Sequence, residues 1–240
     1  MRRVLAPLVG ALVALGVSGC AGAEGQQAQE LLLQSEQAVA SVESFRFAAR
    51  FWTSGADQSL TMVMKGGGYS KGKRAGDFFV QASVEGVPGF TGFTMVSRKG
   101  AVSMNAGGGW VPVPADAAAA QQNAALGGFD FTPYIKDVDV EQGKLVGGEP
   151  MTKITGVIDT EGLVDGVLGQ LGGVSELSGV GAFGAAFEDT RAVIYLSEVT
   201  HLPMRGLLDM TVKVLDESVT MHLDYALQGV NEAVKIPNPA

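Results

Sequence analysis

Along FRFAARF (residues 45–51), Phe45, Phe47, Ala49 and Phe51 alternate with Arg46, Ala48 and Arg50. A period of two belongs to a β-strand with one apolar face. The same signature returns in LTMVMK (60–65), DFFVQASVE (77–85), GFTMVSRK (92–99), AVSMN (101–105), WVPVP (110–114), VDVEQGKLV (138–146) and MTKITGVID (151–159). It returns again in RAVIYLSEV (191–199), LLDMTVKVL (207–215) and SVTMHLDYAL (218–227). Glycine-rich breaks separate many of these runs, among them Gly66-Gly67-Gly68, Arg98-Lys99-Gly100, Gly107-Gly108-Gly109 and Gly147-Gly148. Read as turns, they join antiparallel neighbours, because a parallel crossover needs about a dozen residues or more. The chain is therefore expected to build a large antiparallel sheet with one apolar face.

Helical signals are few. From Gln29 to Glu43, Leu31, Leu32, Ala38, Val39 and Val42 recur near helical spacing between polar residues, which predicts one amphipathic helix entering the first strand. Ala117–Ala120 is expected to be helical, and Thr132-Pro133 reads as an N-cap and first position of a short helix through Tyr134 and Ile135. Residues 162–187 stand apart, with eight glycines in 26 residues around a stripe of Leu163, Val167, Leu168 and Leu171. Each glycine weakens a helix by about 1 kcal/mol relative to alanine, so this segment is expected to form a loose cover, with Phe183 and Phe187, over something apolar. The two prolines of the final VKIPNPA end regular pairing there.

The amino terminus carries an address. Arg2 and Arg3 precede an uncharged apolar run of 14 residues, Val4 to Val17, followed by small residues. That is the layout of a secretory signal, and the run is short of the roughly 20 residues of a membrane-crossing helix. Val17-Ser18-Gly19-Cys20 looks like a bacterial lipobox and contains the chain's single cysteine. Cys20 is thus expected to be an acyl attachment point, with residues 1–19 removed, 20–27 a lipidated tether and 28–240 one domain. Two or more acyl chains anchor a protein stably, whereas one holds it marginally. The expected location is the outer face of the cell membrane. Losing Arg2 and Arg3 leaves 15 Lys+Arg against 25 Asp+Glu, a net charge of −10, which makes nucleic acid a poor partner.

Motifs for catalysis or cofactors lack their contexts. Gly179-Val180-Gly181-Ala182-Phe183-Gly184 matches a dinucleotide pattern but has no βαβ unit around it. Ser70-Lys71-Gly72-Lys73 matches S-x-x-K without companion elements and reads as a solvated turn. His201 falls at a strand-to-strand corner; His222 points outward with Thr220 and Asp224, and neither belongs to a metal-ligand pattern. Asp137, Asp139 and Glu141 alternate onto one wet strand face. No metal, cofactor or catalytic residue is expected. A hydrolase reading would need a buried carboxylate pair or a serine beside a histidine.

What remains is the apolar face. Phe47, Phe51, Met62, Met64, Val80, Phe93, Met95, Met210, Val212, Met221 and Leu223 occupy the apolar halves of alternating strands. Methionine is a pliable lining that adapts to irregular partners, and glycines permit bending and close approach. An ordinary packed core is one reading; a cavity with a variable occupant is the other.

The order of these features resembles the LppX/LprAFG-type lipoproteins of actinobacteria, which are similar to the carrier LolA. The resemblance spans about residues 28–240 and rests on the lipobox, the SVESFRF helix-to-strand entry, DVDVEQGKLVGGEPMTKITGVID, VIYLSEVTHLPMRGLLDMTVK and VKIPNPA. It implies an α+β fold: a strongly curved antiparallel sheet, an incomplete barrel, with helices over the concave face and an apolar cavity between. It further implies binding or transfer of an acylated lipid or lipoglycan, with an envelope transporter or acceptor as partner. The alternative is a non-carrier envelope lipoprotein with a filled core, acting as sensor or assembly partner.

Overall fold

The computed structural model describes residues 23–55, 59–113, 135–159, 187–214 and 217–239. Helix α1 (Ala23–Ser41) leads into strands β1 (Ser44–Ser54), β2 (Thr61–Tyr69), β3 (Phe78–Glu85), β4 (Gly92–Arg98), β5 (Ala101–Asn105) and β6 (Trp110–Pro112). Strands β7 (Ile135–Val146), β8 (Glu149–Ile158), β9 (Phe187–Ser197), β10 (Pro203–Val214) and β11 (Glu217–Gln228) follow. All belong to one antiparallel sheet of order β6-β5-β4-β3-β2-β1-β11-β10-β9-β8-β7. Two meanders, β1–β6 and β7–β11, are thus joined where β1 pairs with β11, Phe51 opposite Leu223. The sheet is curved and unclosed, with β6 and β7 at its edges.

The inner face, on which α1 packs, carries two separate cores. Under the helix lie Ile154, Ile158, Ala192, Ile194, Leu196 and Leu208, with Leu31 and Leu32 of α1 against them. Ile154, Ile194 and Leu196 are almost fully excluded from water, and each such burial contributes about 1.5–3 kcal/mol. The second core, Phe78, Val80, Met95 and Val102, lies across β3–β5.

On the outer face the C-terminal segment replaces a second layer. Val234 and Ile236 bury themselves with Val96 against Tyr69, Phe79 and Trp110. Tyr69 Oη accepts from the Val234 amide at 2.9 Å and donates to its carbonyl at 3.0 Å. Arg98 donates to Asn238 Oδ1 at 2.9 Å and to the Ile236 carbonyl at 3.1 Å.

Several local expectations are corrected. Gly66-Gly67-Gly68 is not a turn but the interior of β2, because neighbouring groups occupy the space a Cβ would need: the Phe47 ring at Gly66 and the Phe78 side chain at Gly68. Ile135 begins β7 instead of continuing a helix, pairing with Ile158. Asp137 does not share an uninterrupted strand face with Asp139 and Glu141; it sits in a register shift with φ +51°. Helix α1 starts at Ala23, so part of the expected tether is helical. Its sheet-facing stripe is buried Ala28 and Ser35 with half-buried Leu31 and Leu32, and Val39, expected on that stripe, is exposed. Cys20, the lipobox, the polyalanine run, Thr132-Pro133 and the cover residues Leu163, Val167, Leu168, Leu171 and Phe183 lie outside the described residues. Phe187 is the first residue of β9.

Candidate functional site: the inner face between two cores

Register decides which side chains share a face. Phe51 pairs with Met62 and Leu223, and Leu208 with Leu223 and Ala192. One row therefore crosses the sheet as Met62–Phe51–Leu223–Leu208–Ala192. A second runs Phe93–Ala82–Met64–Ala49–Tyr225, and a third Met104–Met95–Val80–Gly66–Phe47. Met210 pairs with Met221, and Val212 lies two residues beyond Met210 on β10. All eleven side chains singled out from alternation accordingly lie on the inner face, as does Met104, which the alternation argument did not include.

The structure divides these residues by role. Val80, Met95 and Val212 are buried, and Phe47 and Phe93 pack against Val80 and Met95 in the β3–β5 core. Met210 and Leu223 pack against the core beneath α1. Phe51, Met62, Met64 and Met221 belong to neither core and are half-buried. They adjoin one another, Phe51 opposite Met62, Ala49 opposite Met64 and Thr53 opposite Met221. Between two packed regions the sheet thus presents an apolar floor of one phenylalanine and three methionines. The chain leaves β8 after Ile158 and re-enters β9 at Phe187, at the end of the sheet where Phe51 and Met221 lie.

An open depression of about 550 Å³ lies over β2–β4 and includes Met64 of this floor in its lining. Val63, Lys65, Gln81, Ser83, Thr94 and Asn105 line it, and the register places them on the outer face, Lys65 opposite Gln81 and Gln81 opposite Thr94. Met64, Ala82 and Phe93 also line it, so its wall is mixed and open rather than an enclosed apolar cavity.

Arg205, Asp224 and Glu141 are held in ion pairs. Arg205 and Asp224 form a two-point ion pair at 3.0 and 2.7 Å, and this hydrogen bonding raises the Arg205 pKa. Glu141 is held by Lys144 and Lys153 at 2.7 and 2.6 Å. Lys71, Lys73 and Arg74 are exposed around the short 3₁₀ turn Gly72–Arg74, in the stretch that matched S-x-x-K. Among the described residues no cluster of three metal-ligating side chains is found, and no helix is long and apolar enough to cross a membrane.

One arrangement was missed in the sequence. His222 Nε2 lies 3.0 Å from Ser54 Oγ and its Nδ1 lies 2.6 Å from Asp209 Oδ1. The three residues come from β1, β11 and β10, so only the pairing of distant strands brings them together.

No family model and no curated protein matches the chain. Solved structures do. LprF from Mycobacterium bovis aligns with a TM-score of 0.56 at 17% identity, over 91% of this chain and 100% of that one. The Mycobacterium tuberculosis lipoprotein LppX aligns with a TM-score of 0.52 at 14% identity, over 88% and 99%. The chain shares their fold, as the sequence resemblance implied.

Proposed function

We propose that this protein is a membrane-anchored lipoprotein that binds acylated lipids, or lipoglycans, against the inner face of its sheet and transfers or presents them at the cell envelope. The observation that carries the reading is the half-buried floor of Phe51, Met62, Met64 and Met221 between two packed cores. Exposing a chain of about sixteen carbons to water costs on the order of 10 kcal/mol, at about 0.8 kcal/mol per CH₂. An apolar floor removes much of that cost, and pliable methionines accommodate chains of differing length and kink. The fold shared with LppX, a lipoprotein by its description, supports the envelope setting.

In this reading residues 28–240 form one lipid-binding domain, Cys20 carries the acyl anchor, and residues 162–187 with Phe187 cover the site. An envelope transporter or acceptor would receive the lipid. Burial of Val80, Met95 and Val212 favours the filled-core alternative locally, and binding experiments separate the two. Replacing Met62 or Met221 with Asp sets a charge in the floor, which apolar surroundings disfavour strongly. A fluorescent long-chain fatty acid should then bind at least about tenfold more weakly, a change of about 1.4 kcal/mol. Unchanged binding in both folded variants, or no binding by the parent protein, refutes the proposal. For the anchor, Cys20→Ala should move the protein from the detergent phase to the aqueous phase; unchanged partition refutes acylation.

A further inference from the structure

Ser54, His222 and Asp209 lie on the outer face near the end of the sheet, and their geometry is ordered. Asp209 meets Nδ1 of the imidazole at 2.6 Å and Ser54 meets Nε2 at 3.0 Å. In the tautomer whose Nδ1–H donates a hydrogen bond to the Asp209 carboxylate, the Nε2 lone pair faces the serine hydroxyl. That division of roles is how a histidine activates a serine nucleophile. Trp52 stacks on the imidazole, centroids 4.8 Å apart and planes 15° from parallel, which limits rotation of the ring. Ser54 is exposed at the last position of β1. Gly55 follows it with φ +88°, where a Cβ would come within 2.6 Å of the Ser218 carbonyl oxygen, so the chain turns sharply directly after the serine.

We propose that Ser54 is a nucleophile toward carboxylic esters that reach it from solvent. Ser54 Oγ bonds to the ester carbonyl carbon while its proton passes to His222 Nε2. The carbonyl carbon's bond to the alcohol oxygen then breaks, and the departing alcohol takes that proton. A water molecule, giving a proton to His222, attacks the resulting acyl-serine; the carboxylic acid leaves and Ser54 regains its proton. Ester and water become acid and alcohol with no oxidant or cofactor. Ser54 and His222 are the catalytic residues; Asp209, more exposed than His222, is a positioning residue. The proposal stands independently of lipid binding on the inner face.

The test uses a fluorophosphonate probe and the soluble ester p-nitrophenyl acetate. A single covalent adduct, mapped to Ser54 by peptide mass spectrometry, is expected. His222→Gln should slow labelling by about 100-fold or more, the scale of a lost general base, with circular dichroism confirming the fold. Asp209→Asn should shift the pH dependence of labelling as well as its rate, and Asp209→Glu should restore part of both. Ser54→Ala should lose the adduct and ester hydrolysis together, whereas Gly108→Ala, whose added Cβ meets nothing within 4 Å, should leave labelling at Ser54 unchanged. Absence of an adduct at Ser54, or equal labelling rates in the parent protein and folded His222→Gln, overturns the proposal.

Discussion

The ring of Phe47 rests on the backbone of Gly66 in the adjacent strand: a Cβ added at Gly66 would lie 2.6 Å from Phe47 Cε1 and 2.5 Å from the Phe79 carbonyl oxygen. The ring could move, but the backbone oxygen belongs to the paired strand β3 and cannot yield without breaking register. Gly66→Ala is therefore expected to destabilise the protein by about 1–3 kcal/mol, as overpacking does. Gly108, whose added Cβ would meet nothing within 4 Å, supplies the contrast. Urea denaturation should give a lower midpoint for Gly66→Ala and a nearly unchanged one for Gly108→Ala.

Tyr69 ties the C-terminal segment to the outer face through both polar groups of the Val234 backbone. Tyr69→Phe leaves the amide and carbonyl without this partner while keeping the ring packed. The expected loss is about 1–3 kcal/mol, with faster amide exchange at Val234 than in the parent protein. Unchanged exchange at Val234 would show that the hydroxyl does not hold the segment.

Ser97 is fully buried on the inner face between Phe78 and Val102, and its hydroxyl has no hydrogen-bond partner. An unpaired buried hydroxyl weakens a fold. Ser97→Ala is expected to leave the denaturation midpoint unchanged or to raise it, and a clear fall would reveal a bonding role for Oγ.

Glu141 has its pKa lowered from 4.5 to about 2, first by its hydrogen bond to Lys144 and then by that to Lys153. A lowered carboxylate pKa contributes stability that is present above about 4.5 and is lost as pH falls toward 2. Because the group is at the surface, the effect on global stability is small, so its titration is the better measurement. Carboxyl NMR should place the midpoint near 2 in the parent protein and move it upward in Lys144→Gln. A midpoint near 4.5 in the parent would contradict the bridge.

The strands were legible because alternation is local: runs such as DFFVQASVE and SVTMHLDYAL fall within β3 and β11 to about a residue at each end. Face membership was legible for the same reason, since a period of two assigns each side chain to a side. The glycine triplet misled because its role is set by Phe47 and Phe78, on other strands. Val39 fitted a helical stripe, but contact with the sheet selects the face of α1 marked by Ala28 and Ser35. Burial within the inner face was not legible either, because it depends on which rows α1 covers. Nor was the approach of Ser54 to Asp209 through His222, since residues distant in sequence meet only through the β1–β11–β10 register.

The most direct measurement of the central claim is native mass spectrometry of the protein expressed without residues 1–20. The account predicts extra mass that organic solvent releases as acyl lipid, and less of it in Met62→Asp and Met221→Asp. A bare polypeptide mass from several expression hosts, together with no uptake of added lipid, would contradict it.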